Sequence, residues 1–220
     1  MISVAIDGPA GAGKSTIAKM LAQKLGYIYV DTGALYRTVG LAFSRMGCDK
    51  ELNCDIENVL ESVDVTIKFK DGTQHVFLNG EDVSDEIRTP NASMMASVVS
   101  AKPQVRTFLL DMQRKLAREN NVIMDGRDIG TVVLPDAQVK IFLTASAEVR
   151  AKRRFDELIL KDKNTLYEDV LSDMKERDYN DSHREIAPLK PAKDSVTVDT
   201  SHMTLEESAD ALYKIVKENA

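Results

Sequence analysis

A glycine-rich loop near the N-terminus constrains the fold of this chain more than any other feature of its sequence. The residues from Gly8 to Ser15 match the spacing G-x-x-x-x-G-K-[ST]. An apolar, β-branched run at residues 2–7 precedes the loop and predicts a buried strand. After the loop, apolar residues recur at helical spacing, at Ile17, Met20, Leu21 and Leu25. Strand, loop and helix in this order predict the start of a layered α/β domain.

The loop also predicts a site for a nucleoside triphosphate. Glycines allow successive backbone N–H groups to point toward a phosphate, and the following helix adds the positive end of its dipole. In such a loop the lysine, here Lys14, reaches the β- and γ-phosphates, and the hydroxyl of Ser15 coordinates Mg²⁺. The residues predicted to bind the triphosphate are Gly8, Pro9, Ala10, Gly11, Ala12, Gly13, Lys14, Ser15 and Thr16.

Single apolar strands separated by helices predict the rest of the fold. Further strands are expected at residues 27–30, 122–124, 139–143 and 196–198. With the first strand they imply right-handed crossovers and a five-stranded parallel sheet of the P-loop NTPase type, with helices on both faces. Between residues 63 and 83, the turn signals Asp71-Gly72 and Asn79-Gly80 predict a small antiparallel β insertion.

These patterns divide the chain into a core that two other segments interrupt. We predict core segments at residues 1–62, 101–147 and 166–220, with an insertion at residues 63–100 and a helical lid at residues 148–165. The stretch 148–163 within the lid has a charged face and few residues that demand burial. We therefore expect a mobile flap there.

Composition and charge argue against several other classes of protein. The formal net charge of −6 does not suit a nucleic-acid coat protein, which needs a broad basic surface. No run approaches the roughly 18–20 apolar residues of a membrane span, and the N-terminus lacks a secretory pattern. Cys48 and Cys54 are too few for a disulfide framework, so we expect ordinary packing or surface residues. We predict a cytoplasmic monomer with small-molecule substrates and without a nucleic-acid or membrane partner.

The distribution of arginines favours a second anion beside the triphosphate. The carboxyl ends of strands in a doubly wound sheet border one crevice, so residues 31–33 and 125–128 are both expected beside the phosphate loop. Arginines are scattered along the chain, several of them at predicted strand ends or helix starts: Arg37, Arg88, Arg106, Arg127, Arg177 and Arg184. A crevice that holds these extra cations has room for an anionic phosphoryl acceptor. A switch GTPase is not favoured, because the chain lacks the guanine-reading motif Asn-Lys-x-Asp.

Taken together, these motifs resemble the nucleoside monophosphate kinases, and in particular the bacterial cytidylate kinases. The likeness rests on the phosphate loop, on residues 31–37 after the second strand and on residues 125–128 after the third. The insertion, which ends in residues 78–84, resembles that family's enlarged monophosphate-binding region. Residues 175–178 and 187–189 resemble the C-terminal signature of the family. The resemblance extends over essentially the whole chain. It implies Mg²⁺-dependent transfer of the γ-phosphoryl group from ATP to CMP, and also to dCMP.

The resemblance implies roles for residues on the acceptor side. The CMP-binding residues would be Asp31, Thr32, Arg37, Ser97, Arg106, Arg127, Asp128, Arg177, Asp181 and Arg184. Among them, Ser97 and Asp128 would read the cytosine with the help of Arg106. Asp181 would bind the sugar hydroxyls. The acceptor phosphate would be held by arginines, namely Arg37, Arg127 and Arg184.

The resemblance also implies roles in catalysis and in binding the donor. The catalytic residues would be Lys14, Arg37 and Arg127. Three arginines of the lid would join the phosphate loop in binding ATP, namely Arg150, Arg153 and Arg154. Two alternatives stay open, because both would share the loop. One is a nucleotide-dependent regulatory module, and the other is a kinase for a different small acceptor, such as UMP or shikimate.

Overall fold

A computed structural model of the protein describes residues 1–70, 72–160 and 162–220. Strands lie at β1 (Ser3–Asp7), β2 (Ile28–Asp31), β3 (Val65–Lys70), β4 (Thr73–Leu78), β5 (Glu81–Asp82), β6 (Val122–Gly126), β7 (Val139–Thr144) and β8 (Val196–Asp199). Helices lie at α1 (Lys14–Leu25), α2 (Thr32–Arg45), α3 (Ile56–Glu61), α4 (Pro90–Ser100), α5 (Pro103–Glu119), α6 (Ala147–Leu158), α7 (Tyr167–His183) and α8 (Leu205–Asn219). A wide helical turn at Ile129–Val133 follows β6.

A parallel sheet with the strand order β2-β6-β1-β7-β8 forms the centre of the fold. Every residue of β1 is buried, which is typical of a central parallel strand covered on both faces. Parallel pairing brings the carboxyl ends of the strands to one edge, where Asp7 lies opposite Gly126 and Asp31 lies opposite Asp125. The five-stranded parallel sheet that the sequence predicts is confirmed.

Helices cover both faces of this sheet. On one face, Leu21 of α1 and Leu212 of α8 belong to an apolar cluster with residues of β1 and β7. On the other face, Ala117 of α5 packs in a cluster with Val30 of β2 and Met124 of β6. Burying a leucine side chain completely stabilises a fold by roughly 1.5–3 kcal/mol, so these two layers hold the sheet rigidly beneath its polar edge.

A second sheet stands beside the first, in the segment where the sequence predicts an antiparallel insertion. Its strands β3, β4 and β5 pair in antiparallel fashion in that order, which confirms the small insertion. Asp71 of the predicted turn Asp71-Gly72 lies outside the described residues. The side chain of Gln74 in β4 joins this sheet to the central one, because it accepts a hydrogen bond from the Asp31 N–H and donates to the Asp31 carbonyl.

Helix α2 packs closely on helix α4, which follows the strands β3 to β5 within the segment 63–100. At Gly40 of α2, an added Cβ would lie 3.0 Å from atoms of Met95 and Ala96 of α4. Side chains of the two helices, among them Leu35 and Met95, share one buried cluster with the insertion strands. The absence of a side chain at Gly40 therefore sets how near the two helices lie.

Local capping signals set the ends of two further helices. Helix α5 spans Pro103–Glu119, with proline in its first turn. At the start of α8, Thr204 and Glu207 form a capping box, each side chain accepting from the backbone N–H of the other. Within residues 1–70, 72–160 and 162–220, no helix has both the length and the apolar character that crossing a membrane requires.

Two expectations about the chain need correction. Residues 147–158 form the helix α6, and it buries Arg150 and Ala151, whereas the charged pattern of this stretch predicts few buried residues. Cys48 and Cys54, which lie in the loop between α2 and α3, form a disulfide with each other and are not two free cysteines. Counting cysteines misses a single short-range pair of this kind, because the count reports only whether a framework of several bridges is possible.

The first glycine of the phosphate loop gives a stability prediction. Gly8 has φ +148°, and an added Cβ would lie 1.9 Å from the Leu143 carbonyl oxygen of β7. We expect Gly8→Ala to lower the free energy of unfolding by well over 2 kcal/mol, because backbone must move to relieve this overlap. Urea unfolding followed by circular dichroism measures the change.

Gly26 provides the matched control, since its φ is +69° and nothing lies within 4 Å of an added Cβ. Gly26→Ala should therefore cost only the left-handed strain of about 1–2 kcal/mol. Equal unfolding midpoints for the two alanine variants would show that β7 does not constrain the loop.

Candidate functional site

A cavity of about 1100 Å³ opens at the carboxyl edge of the central sheet. Its floor is the phosphate loop and the start of α1, and its walls come from the ends of β2 and β6 and from α4, α6 and α7. The turn after β8 and the start of α8 line one end of it. This is the edge at which a doubly wound sheet binds its ligands.

The phosphate loop presents its backbone to this cavity. Residues 10–16 line the cavity, and helix α1 begins at Lys14, so the positive end of its dipole points into the same space. The Lys14 ammonium group is buried and donates to the carbonyl oxygen of Pro9 over 2.7 Å. Lys14 is therefore held against its own loop by a neutral acceptor.

Desolvation dominates the electrostatics of Lys14. Burial lowers the pKa of Lys14 well below its ordinary value of 10.5, and the nearby Arg127 acts in the same direction. The carboxylates of Asp125 and Asp7 oppose this shift only in part. An additional anion in the cavity would favour the charged form of this lysine.

A short hydrogen-bond chain lies next to the phosphate loop. The Ser15 hydroxyl donates to Asp125 Oδ2 over 2.7 Å, and the Tyr29 hydroxyl donates to Asp125 Oδ1 over 3.0 Å. Burial raises the pKa of Asp125, and the carboxylate of Asp31 raises it further. This arrangement places a serine hydroxyl and a buried carboxylate side by side at the mouth of the loop.

Arginines gather on the wall opposite the loop. Arg37 pairs with Asp31 over 2.8 Å, and Arg127 pairs with Asp181 over 2.7 Å. The Nε of Arg37 is buried without a hydrogen-bond partner among the described residues. Because this nitrogen is buried, a ligand in the cavity would meet other parts of the Arg37 side chain, which is 24% exposed as a whole.

Arg177 adds to the positive charge of that wall. It lines the cavity, and it forms no ion pair within the described part of the chain. Desolvation by the surrounding protein lowers the pKa of Arg177, and repulsion from Arg127 lowers it further. Cations that repel each other in this way provide a strong site for a polyanion.

Asp128 lies deeper in the cavity, between two arginines. Its carboxylate forms ion pairs with Arg106 and, over 3.3 Å, with Arg184. Burial raises the pKa of Asp128, whereas Arg106 acts in the opposite direction. The Arg184 Nε also donates to the carbonyl of Ala187 over 2.5 Å, so the guanidinium is held between two acceptors.

Asp7, at the end of β1, supports the loop that carries Arg127 and Asp128. Its two carboxylate oxygens accept the backbone N–H groups of Ile129 and Gly130, each over 2.7 Å. Burial raises the pKa of Asp7 to about 6, although these two hydrogen bonds act to lower it. The carboxylate thereby fixes the turn that follows β6.

The structure brings nearly all of the residues proposed from the sequence to this one cavity. The loop residues Ala10, Gly11, Ala12, Gly13, Lys14, Ser15 and Thr16 line it, and so do Asp31, Thr32, Arg37, Ser97, Arg106, Arg127, Asp128, Arg153, Arg154, Arg177, Asp181 and Arg184. Gly8, Pro9 and Arg150 do not line it. Arg88, which the pattern of arginines also suggested, lies outside it as well.

Several residues of the site were not assigned a role from the sequence. Asp125 was recognisable, because it is the first polar residue after an apolar strand in the run 125–128. Asp7 ends an apolar strand in the same way, but its bonds to Ile129 and Gly130 depend on which strands are neighbours in the sheet, and so does the bond of Tyr29 to Asp125. The end of the cavity formed by residues 200–208 also escaped, because it follows the last strand without a motif.

Comparison with known proteins identifies the family to which this arrangement belongs. The family model described as cytidylate kinase matches residues 4–218. The chain belongs to the cytidylate kinase family. A cytidylate kinase of Caldicellulosiruptor bescii is 52% identical over 220 residues, which cover 98% of this chain and 97% of the relative. One of Fervidobacterium nodosum is 49% identical over 215 residues, covering 98% and 96% respectively.

A solved structure shares the fold of this chain at low sequence identity. The crystal structure of an uncharacterised protein from Eubacterium ventriosum superposes with a TM-score of 0.54 at 14% identity. The match covers 99% of both chains. The architecture is therefore shared with a protein of very different sequence.

The buried carboxyl of Asp7 leads to a prediction about pH. Its pKa is about 6 in the folded protein against 3.8 ordinarily, so the folded state binds this proton more tightly than the unfolded state does. The stability that this group contributes is fully present below pH 3.8 and is lost as the pH rises through 6. From pH 4 to 7, the free energy of unfolding of the wild type should fall by roughly 2 kcal/mol more than that of Asp7→Asn.

Urea unfolding at several pH values measures this difference in slope. The absolute stability of Asp7→Asn should also be lower, because an amide can accept from only one of the two N–H groups. Asp136→Asn controls for loss of an exposed carboxylate. Parallel pH curves for wild type and Asp7→Asn would contradict the raised pKa.

Proposed function

We propose that this protein transfers the γ-phosphoryl group of ATP to CMP, and also to dCMP, giving ADP and the nucleoside diphosphate. The observation that carries the proposal is one cavity in which a phosphate loop faces a wall of arginines, among them Arg177, which has no ion pair within the described residues. Two anions fit end to end in such a space. Membership of the cytidylate kinase family supports the identity of the acceptor.

ATP would occupy the half of the cavity above the phosphate loop. Backbone N–H groups of residues 10–16 and the Lys14 ammonium would surround the β- and γ-phosphates. Lys14 would then exchange its bond to the Pro9 carbonyl for one to phosphate, a stronger charged acceptor. Arg153 and Arg154 line the same half and would contact the donor from α6.

CMP would occupy the opposite half. Arg37 and Arg127 would hold its phosphate, since both side chains are partly exposed to the cavity. Ser97 and Asp128 would bind the cytosine, since a carboxylate accepts from the exocyclic amino group of that base. The sugar hydroxyls would meet Asp181, which lies on α7 beside this wall.

The residues beside the loop suit Mg²⁺. A serine hydroxyl and a carboxylate are hard oxygen ligands, and Ser15 and Asp125 lie within hydrogen-bond distance of each other at 2.7 Å. Ser15 would hold the ion together with the phosphates of ATP, and Asp125 would orient the Ser15 hydroxyl or bind the ion itself. The ion, when bound, would neutralise charge that develops on the β- and γ-phosphate oxygens.

The chemistry then needs positioning more than proton transfer. The acceptor is a phosphate monoester that is largely ionised at neutral pH, so no strong general base is required. Two unit charges about 4 Å apart repel by roughly 4 kcal/mol at an effective dielectric near 20. Lys14, Arg37 and Arg127 would offset this repulsion and hold the reacting oxygens in line.

Water must be kept out of the assembled site, because the same geometry would otherwise hydrolyse ATP. We propose that residues 148–165 act as a lid and that residues 63–100 form the monophosphate-binding segment, while the rest of the chain is the core. Arg154 is exposed at the rim of the cavity, and its one ion pair among the described residues is with its helical neighbour Glu157. A side chain placed in this way is free to turn toward a bound triphosphate.

A panel of nucleoside monophosphates tests the proposed reaction. With ATP and Mg²⁺, we expect CMP and dCMP to raise the rate of ADP release at least ten-fold above the rate without acceptor, and UMP, AMP and GMP to raise it less. A coupled assay of ADP release provides the measurement. Turnover that does not depend on any acceptor would favour a regulatory nucleotide-binding module, and a preference for UMP would reassign the acceptor.

Arg127→Lys tests the proposed catalytic wall. The lysine keeps the charge but loses the planar fork that can bind a phosphate and Asp181 together, so kcat should fall by about 10²–10³. Arg45→Lys is the matched control, because Arg45 is exposed and pairs with Glu81 and Glu86 outside the cavity. Steady-state kinetics that leave both variants near wild type would refute the role of Arg127.

A further inference from the structure

Arg150 is buried near the start of α6, although it belongs to a run of otherwise solvated basic residues. Its side chain is 4% exposed, and it does not line the cavity that Arg153 and Arg154 border. Four of the five N–H groups of its guanidinium donate to acceptors within the protein. Little donor capacity is left for a nucleotide, in contrast to the expectation that Arg150 binds ATP.

The acceptors of Arg150 belong to separate parts of the fold. Its Nε donates to the Ala145 carbonyl after β7 over 2.8 Å, and its Nη1 donates to the Ala10 carbonyl of the phosphate loop over 3.0 Å. Its Nη1 and Nη2 bind Asp178 of α7 in a two-pronged ion pair, over 3.1 and 2.5 Å. One side chain thus joins the sheet, the loop and α7.

Packing reinforces this connection at the neighbouring loop residue. An added Cβ at Gly11 would lie 3.2 Å from the Cβ of Arg150 and 3.3 Å from the Cε of Met174 on α7. The phosphate loop therefore rests directly on α6 and α7 at the point where Arg150 binds Ala10. A hydrogen bond and a close apolar contact act on the same few atoms of the loop.

Helix α7 carries the other end of the connection into the acceptor wall. Asp178 lies directly after Arg177 and three residues before Asp181, and both of these residues line the cavity. Residues three apart lie on neighbouring positions of a helix face, so a shift of Asp178 moves Asp181 with it. Asp181 in turn holds Arg127 over 2.7 Å.

We propose that Arg150 is a positioning residue that ties the phosphate loop to α7 and so couples the binding of the donor to the binding of the acceptor. The inference rests on the proposed kinase function. Binding of ATP would fix the loop and, through Arg150 and Asp178, the side chains of α7 that meet CMP. Arginine is required for this link because only its planar fork can bind a carboxylate twice and a carbonyl at the same time.

The test uses Arg150→Lys, Asp178→Asn and the double variant. We expect kcat to fall at least ten-fold in each single variant. The double variant should be no slower than the slower single variant, because both changes break one connection. The binding readout is the Kd of a non-hydrolysable ATP analogue with and without CMP. CMP should tighten analogue binding about five-fold or more in wild type and less than two-fold in the variants.

A surface ion pair between the same two helices provides the control. Lys175 of α7 lies 3.4 Å from Glu148 of α6, with both side chains more than half exposed. Glu148→Gln and Lys175→Gln should leave kcat and the effect of CMP on analogue binding unchanged. Equal losses in these controls would show that removing any contact between α6 and α7 has the same effect as removing Arg150. That result would overturn the proposal.

Breaking a buried ion pair can also unfold a protein, so urea unfolding accompanies each variant. Asp178→Glu keeps the charge and decides the matter if the other variants do not fold. In this variant, CMP should tighten binding of the ATP analogue less than it does in wild type, since the longer side chain cannot keep the same two-pronged geometry. Folded variants with a wild-type CMP effect, or a wild-type protein that lacks the effect, would refute the link. Absence of CMP-dependent turnover in wild type would instead refute the proposed function.

Discussion

Mutual repulsion among fixed cations is the constraint on which the carboxyl edge of this sheet depends. Burial lowers the pKa of Lys14 and of Arg177, and repulsion from the nearby Arg127 lowers the pKa of both further. Such a cluster persists in a folded protein only when carboxylates are interleaved with it. Asp181 and Asp125 are placed where they supply that compensation.

The carboxylates of Asp31 and Asp181 therefore matter both before and after a nucleotide binds. Without nucleotides, Asp31 and Asp181 hold Arg37 and Arg127 in place, and each pair is partly exposed to the cavity. Phosphates carry more charge than a carboxylate and would draw the arginines away from these partners. A site arranged in this way binds its ligands by exchanging one set of ion pairs for another, which limits the cost of leaving charges unpaired.

The sequence predicts the parts of this structure that depend on local pattern. The phosphate loop, the strand at residues 2–7 and the helix after the loop all follow from spacing and composition, and so does the convergence of residues 31–33 and 125–128 on one crevice. Arg150 shows where such reasoning stops. Its charged neighbours suggest a solvated face, and its burial depends on the approach of α7, which no local pattern records. The hydrogen bond of Tyr29 to Asp125 likewise exists only because β2 and β6 are neighbours.

The close contact at Gly40 has a consequence for how this protein would bind its acceptor. Helix α2 carries Arg37 and helix α4 carries Ser97, and the missing side chain between them lets their backbones touch. Two helices in such contact travel together far more easily than apart. If Arg37 binds the acceptor phosphate and Ser97 binds its base, as proposed above, this contact would hold the two side chains at a fixed separation, so that a nucleotide whose base fits poorly would also place its phosphate poorly.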